Sequence, residues 1–162
     1  MQPEEVSSIL DIIPQQGMVL EIGTFHGMTA AIWAAERPNV IFFSVDPMRW
    51  RRAGLKWYVN RRDNMRLLTG TIDDLAVLKV AAAFDVIVVD GDHTHAACYH
   101  DLEVGLPLLK PAGRFVVHDY AKGTLRRTCA RGVVHGVTDF CKTYGYRIDR
   151  VIETTAFLEK LS

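Results

Sequence analysis

Acidic, small and imidazole-bearing residues collect where the apolar runs of this chain stop, and those positions carry the chemistry it offers. The run Val19-Leu20-Glu21-Ile22-Gly23-Thr24-Phe25-His26-Gly27 ends in a glycine-punctuated turn that lets backbone come close to a ligand. Its spacing is E-x-G-x-x-x-G, unlike the G-x-G-x-x-G of pyrophosphate-binding turns, and a Glu21 carboxylate repels phosphate. A ligand that is cationic, or rich in hydroxyl and amino groups, fits better. Asp46 lies about twenty residues beyond the turn, where an acidic side chain can accept hydrogen bonds from both hydroxyls of a ribose. Gly70-Thr71-Ile72-Asp73 offers walls for a flat base.

His93, in Asp90-Gly91-Asp92-His93, is the candidate base. An imidazole titrates near neutrality and can take the proton of an attacking hydroxyl, an effect worth typically about 10²–10⁴ in rate. Asp92 is placed to orient it or to cap the helix that follows. Asp90 and the pair His118-Asp119 close two runs that read as adjacent strands, so their side chains can converge. Singly, each of these residues is an ordinary cap or turn former. The functional reading rests on all five run ends behaving alike. His93-x-His95 imitates zinc spacing, but with only His100 beyond it, helical positions spread these rings around the axis.

Positioning such residues takes a parallel sheet, whose ligands bind beyond the carboxyl ends of its strands. The apolar runs predict strands over residues 18–23, 40–46, 65–69, 84–90 and 114–119. Helical patterns fall between them over 29–36, 54–61, 73–83 and 94–109, with another over 131–144. Val86-Ile87-Val88-Val89 is apolar without alternation, as expected where both sheet faces are covered. The alternation predicts an α/β, doubly wound, Rossmann-like sheet. Two further strands, 146–153 and 155–161, have almost nothing between them, which requires an antiparallel hairpin. The expectation is one domain over 1–162, with seven strands, mostly parallel, and a C-terminal antiparallel hairpin.

Bulk properties narrow the function classes. Residues 1–162 suffice for one core, and 49% are hydrophobic. Lys and Arg balance Asp and Glu at 19 each, so nothing calls for nucleic acid or an acidic membrane. Cys98, Cys129 and Cys141 are odd in number and lack C-x-x-C spacing, which reads as free thiols in a reducing compartment. With no signal pattern and no membrane-length apolar run, a cytoplasmic location is expected. The basic stretch from Arg49 to Arg62 reads as a solvated helix face.

VLEIGTFHGMTA (19–30), FSVDP (43–47), FDVIVVDGDHTHAACYHDLEVGLPLLKPAGRFVVHDY (84–120) and TTAFLEK (154–160) together resemble class I S-adenosylmethionine-dependent methyltransferases. In particular, the chain resembles the small-molecule O-methyltransferase group related to antibiotic-tailoring sugar methyltransferases and cephalosporin-cluster enzymes. The resemblance implies that Glu21, Gly23, Thr24 and Gly27 shape the pocket for the methionine part of the cofactor. It implies that Asp46 holds the ribose, that Thr71 and Ile72 flank the adenine, and that Asp90 borders the same pocket. It further implies a divalent ion, Mg²⁺ or Mn²⁺, at Asp90, His118 and Asp119, lowering the pKa of the substrate hydroxyl. His118 departs from the all-oxygen pattern of those relatives, which shifts preference toward Mn²⁺, Fe²⁺ or Zn²⁺, unless it points away. His93 matches their catalytic histidine.

The implied activity is methyl transfer from S-adenosylmethionine to a hydroxyl of a small molecule, assisted by the metal. Two alternatives keep the cofactor: a metal-free enzyme with His93 as base, and a binding domain without turnover. A nicotinamide dehydrogenase disagrees with the glycine spacing and the hairpin. Few residues remain for a lid beyond 47–54 and 120–131, with Lys122, Arg126 and Arg127. A site completed by a second subunit of a homo-oligomer, or an open site for a large acceptor, fits that economy.

Overall fold

The computed structural model describes residues 1–25, 27–47, 62–76, 81–120 and 128–161. Seven strands form one sheet in the order β3-β2-β1-β4-β5-β7-β6. They are β1 (Gly17–Ile22), β2 (Val40–Asp46), β3 (Met65–Thr69), β4 (Phe84–Val89), β5 (Leu109–Val117), β6 (Tyr146–Ile152) and β7 (Thr155–Lys160). The first five pair in parallel, and β7 runs antiparallel to both β5 and β6. The doubly wound sheet and its terminal hairpin are therefore as the sequence predicted.

Neighbouring strand residues point to opposite faces, and each face has its own core. Leu20, Ile87, Phe115 and Leu158 meet helices α3 (Ile72–Ala76), α4 (His95–Gly105) and α5 (Thr128–Tyr144) on one side. Val19, Val86, Val116 and Phe157 meet α1 (Pro3–Ile12) and α2 (Met28–Glu36) on the other. Phe140 of α5, fully buried, packs edge-on to Phe115 with ring centroids 5.5 Å apart and lies 5.2 Å from Tyr146. Truncating such a ring costs about 3–5 kcal/mol.

The structure differs from the sequence reading in four places. Helix α1 was not expected: Pro3 opens it, and Ile9 buries its face against the sheet. Helix α4 ends at Gly105, short of residue 109, because Pro107 cannot continue the ladder, and a 3₁₀ turn over Leu106–Leu108 follows. That frees Leu109 to open β5 opposite Phe84, ahead of the predicted strand start. Of the predicted helix 73–83, α3 is described over Ile72–Ala76, residues 77–80 lie outside the described residues, and residues 81–82 form a turn in which Ala82 has φ +49°. The predicted helix 54–61, most of the basic stretch 49–62 and His26 lie outside the described residues, as do 48–54 and 121–127 of the lid candidates.

Two close backbone approaches position the site. Gly23 (φ +87°) ends β1 with its backbone against Asp90, where a Cβ would lie 2.2 Å from the Asp90 carbonyl oxygen. Gly132 of α5 does the same to the turn after β4: a Cβ there would lie 2.2 Å from the His93 carbonyl oxygen. Small residues at these two points let the loops bearing Asp90 and His93 sit down on their neighbours. Among the described residues no helix is long and apolar enough to cross a membrane.

Candidate active site

Strand order reverses at β1, whose partners β2 and β4 continue the chain in opposite directions across the sheet. A cavity of about 730 Å³ opens there, at the carboxyl ends of the strands, where doubly wound sheets bind ligands. Glu21, Gly23, Thr24, Asp46, Thr71, Ile72, Asp90 and His93 line it, and Gly27 does not.

On the β1–β3 side the walls are made by backbone turns. Gly27 (φ +70°) precedes α2, and its N–H closes a turn onto the Thr24 carbonyl at 2.7 Å. Phe25 adopts φ +47°, and its N–H donates to Asp46 Oδ2 at 2.9 Å, tying the glycine turn to the end of β2. Glu21 is almost wholly buried and accepts from Ser44 Oγ at 2.9 Å. Burial, reinforced by the Asp90 and Asp46 carboxylates and opposed by the Ser44 and Thr24 hydroxyls, pushes its acid up to about 8. The sequence treated Glu21 as a ready carboxylate; in the structure its burial favours the protonated form. A cationic group placed beside it favours the ionised form.

The β4–β5 side is a network of charged side chains. His118 Nδ1 lies 2.9 Å from Asp90 Oδ1 and 3.4 Å from Asp119 Oδ2. Its Nε2 lies 3.3 Å from Glu5 Oε2, on α1. Burial opposes charge on this ring, but hydrogen bonds to Asp119 and Asp90 prevail and push it up to about 10. Glu5 in turn accepts from Gln2 N–H at 2.6 Å, Thr154 N–H at 3.0 Å, and the hydroxyls of Thr154 and Thr155 at 2.7 and 3.0 Å. Burial alone would raise its acid; those donors and His118 bring it down to about 2. The His118 hydrogen bond likewise holds Asp119 low, against burial.

His93 Nε2 approaches Asp119 Oδ2 at 2.8 Å, yet this buried nitrogen has no properly directed hydrogen bond. Asp90, His93 and Asp119 each offer one ligand atom, all within 4.8 Å of one another, a group that could hold a metal ion. The third member differs from the expected His118, both of whose nitrogens already face carboxylates. His95 meets Asp139 and His100 meets Asp73, each at 3.0 Å, so no H-x-H zinc site assembles among the described residues. Thr94 caps α4 by accepting from Ala97 N–H at 3.3 Å, while Asp92 accepts from Thr94 N–H at 2.8 Å. Cys98 and Cys141 are free thiols, pushed by burial up to about 12 and 11, and take no part in the site.

Glu5 is the site residue that sequence reasoning missed. Apart from Gln2, its partners lie 113 to 150 positions away, and the local signal was an acidic residue in the first turn of an apolar-faced helix.

Comparison with known proteins places this geometry. A sequence profile described as a methyltransferase domain matches residues 20–120, more than half of the chain. The fold is similar to that of a Staphylococcus aureus protein assigned as a caffeoyl-CoA O-methyltransferase (TM-score 0.72, 18% identity, covering 98% of this chain and 83% of the other). It is similar to the MycE methyltransferase of the mycinamycin biosynthetic pathway, solved with Mg and S-adenosylhomocysteine (0.68, 20%, 98% and 48%). The B. subtilis M1A22 tRNA methyltransferase TrmK shares it too (0.63, 15%, 99% and 66%). Identities this low carry the fold and not the acceptor. On its profile match and its fold, the chain belongs to the methyltransferase domain family and is a class I S-adenosylmethionine-dependent methyltransferase.

Proposed function

We propose that this enzyme methylates a hydroxyl of a small molecule with the help of a divalent cation held by Asp90, His93 and Asp119. The observation that carries the proposal is the convergence of these three ligand atoms at the ends of adjacent strands, on the rim of the cofactor cavity. The buried His93 Nε2, close to a carboxylate but without a directed hydrogen bond, fits a ring that donates its lone pair to a metal. Two carboxylate oxygens and an imidazole suit Mn²⁺, Fe²⁺ or Zn²⁺ better than Mg²⁺. When bound, such an ion supplies Lewis-acid stabilisation of the substrate as an alkoxide or phenolate.

The remaining work is placement, since the sulfonium arrives already activated. Glu21 compensates the cationic methionine end, Asp46 takes the ribose, and Ile72 bounds the purine. His118 acts from behind, fixing Asp90 and Asp119 in one orientation, and Glu5 fixes His118. His118 is thus a positioning residue in this reading.

A second reading follows from the same 2.8 Å approach: His93, oriented by Asp119, removes the hydroxyl proton unaided. The test is methyl transfer from labelled S-adenosylmethionine to sugar, phenol and aliphatic alcohol acceptors. Activity abolished by EDTA and restored by Mn²⁺ is the expected result. Turnover indifferent to EDTA selects the His93–Asp119 pair. Tight S-adenosylhomocysteine binding with no hydroxyl methylated overturns both and leaves a non-catalytic binding domain.

A further inference from the structure

Thr154 and Thr155 open the terminal run TTAFLEK, and both send their hydroxyls across the molecule to Glu5 on α1. Oε1 of that buried carboxylate takes three donors: Thr154 N–H at 3.0 Å, Thr154 Oγ1 at 2.7 Å and Thr155 Oγ1 at 3.0 Å. Oε2 takes Gln2 N–H at 2.6 Å and faces His118 Nε2 at 3.3 Å. A carboxylate is planar, so three donors on one oxygen also fix where the other points.

Thr154 supplies two of the three donors on Oε1. Its hydroxyl oxygen lies 3.5 Å from His118 Nε2 as well, so one edge of the imidazole faces both Glu5 and Thr154. The opposite edge, at Nδ1, meets Asp90 Oδ1 at 2.9 Å and Asp119 Oδ2 at 3.4 Å. The ring therefore passes on to two site carboxylates whatever placement it receives from the hairpin turn. The turn itself is shaped for this. Glu153, between β6 and β7, has φ +50°, a left-handed conformation that a residue with a Cβ rarely adopts. The residue that follows it is the one whose N–H and hydroxyl both reach Glu5.

We propose that Thr154 is a positioning residue for methyl transfer: it sets the angle of the Glu5 carboxylate and, through the His118 ring, the spacing of the Asp90 and Asp119 oxygens. The inference rests on the reading of those two carboxylates as cation ligands, and it extends the site to a turn 36 positions beyond His118. Thr154→Val keeps the backbone N–H but leaves Glu5 one donor short and sets a methyl against His118. Thr154→Ser keeps the hydroxyl.

The experiment measures, on the full chain, Mn²⁺ affinity by electron paramagnetic resonance and, with no metal added, the His118 ring nitrogens by ¹⁵N NMR. Thr154→Val should weaken Mn²⁺ binding about tenfold, the low end for groups that orient metal ligands, and should shift the His118 Nε2 resonance. Thr154→Ser should return both close to their wild-type values. Leu158→Val thins the buried core under β7 without touching Glu5 or His118, so it should lower the melting temperature and leave both readouts unchanged. An Nε2 resonance that stays in place in Thr154→Val overturns the proposal, as does Mn²⁺ affinity held within about twofold of wild type. Equal weakening in Leu158→Val, or no recovery in Thr154→Ser, overturns it too, because the turn would then act through stability alone. Absence of Mn²⁺ binding by wild type overturns the cation reading, and this proposal with it.

Discussion

The two halves of the cavity are built by different means. Around β1–β3 the walls are backbone: a glycine turn, an N–H pinned by Asp46, and a buried Glu21 satisfied by Ser44 on the neighbouring strand. Around β4 and β5 they are ionised side chains, in which Asp90, His118, Asp119 and Glu5 hold one another. The first arrangement is local in sequence and makes a shape. The second joins α1, the two strand ends and the β6–β7 turn, and holds charges at fixed points. Substitutions should therefore separate the halves: changes in the first should move cofactor affinity, and changes in the second should move turnover.

The largest separation is expected from Asp119→Ala. Removing a ligand or base-orienting carboxylate should lower methyl transfer by about 10²–10⁴-fold, measured at saturating cofactor. S-adenosylhomocysteine affinity should stay within about twofold. An equal loss in both would mean that the two halves act as one.

Next in size is Gly132→Ala. The added Cβ must displace the turn carrying His93, and overpacking of this kind costs about 1–3 kcal/mol. Turnover should fall together with the melting temperature. A variant that melts lower but turns over normally would show that His93 placement does not depend on this contact.

Glu5→Gln tests the reach of the charged half. The amide keeps an acceptor for the Thr154 and Thr155 groups but removes the charge opposite His118. A stability loss of about 1–3 kcal/mol is expected, with turnover reduced and cofactor affinity kept. Unchanged turnover would confine Glu5 to holding α1 on the sheet.

The effect confined to the cofactor half is the pH dependence carried by Glu21. Its acid is raised from 4.5 to about 8 on folding, so between those values the native state binds more protons than the unfolded chain. Stability therefore declines as pH rises through that window and levels off above it. Glu21→Gln should be the more stable protein at pH 8 and show a flatter profile by denaturant titration across pH 5–8. Binding of the cationic S-adenosylmethionine to wild type at pH 7 should release protons, seen as a buffer-dependent calorimetric heat that Glu21→Gln lacks. Parallel profiles for the two proteins would show that Glu21 is ionised throughout.

The same contrast explains what the sequence disclosed. Every strand was legible because apolar runs and the Gly or Asp that end them are local signals, and Glu21, Asp46 and Thr71 were legible with them. The late, short connection between β6 and β7 disclosed the hairpin for the same reason. The charged half was legible only in outline. Strand ends brought Asp90, His93, His118 and Asp119 to one end of the sheet, but no local pattern records the approach of Glu5 to His118. Pro107 was a local signal passed over, as was Pro3 at the start of α1, and reading Pro107 as a helix stop would have started β5 at Leu109.

The account stands most directly on one paired titration. S-adenosylhomocysteine should bind wild-type and Asp119→Ala proteins with affinities within about twofold, while Asp46→Ala, which loses the pin on Phe25 and the proposed ribose acceptor, binds at least about tenfold more weakly. Absence of binding to wild type, or an affinity that falls with Asp119 and not with Asp46, would contradict it.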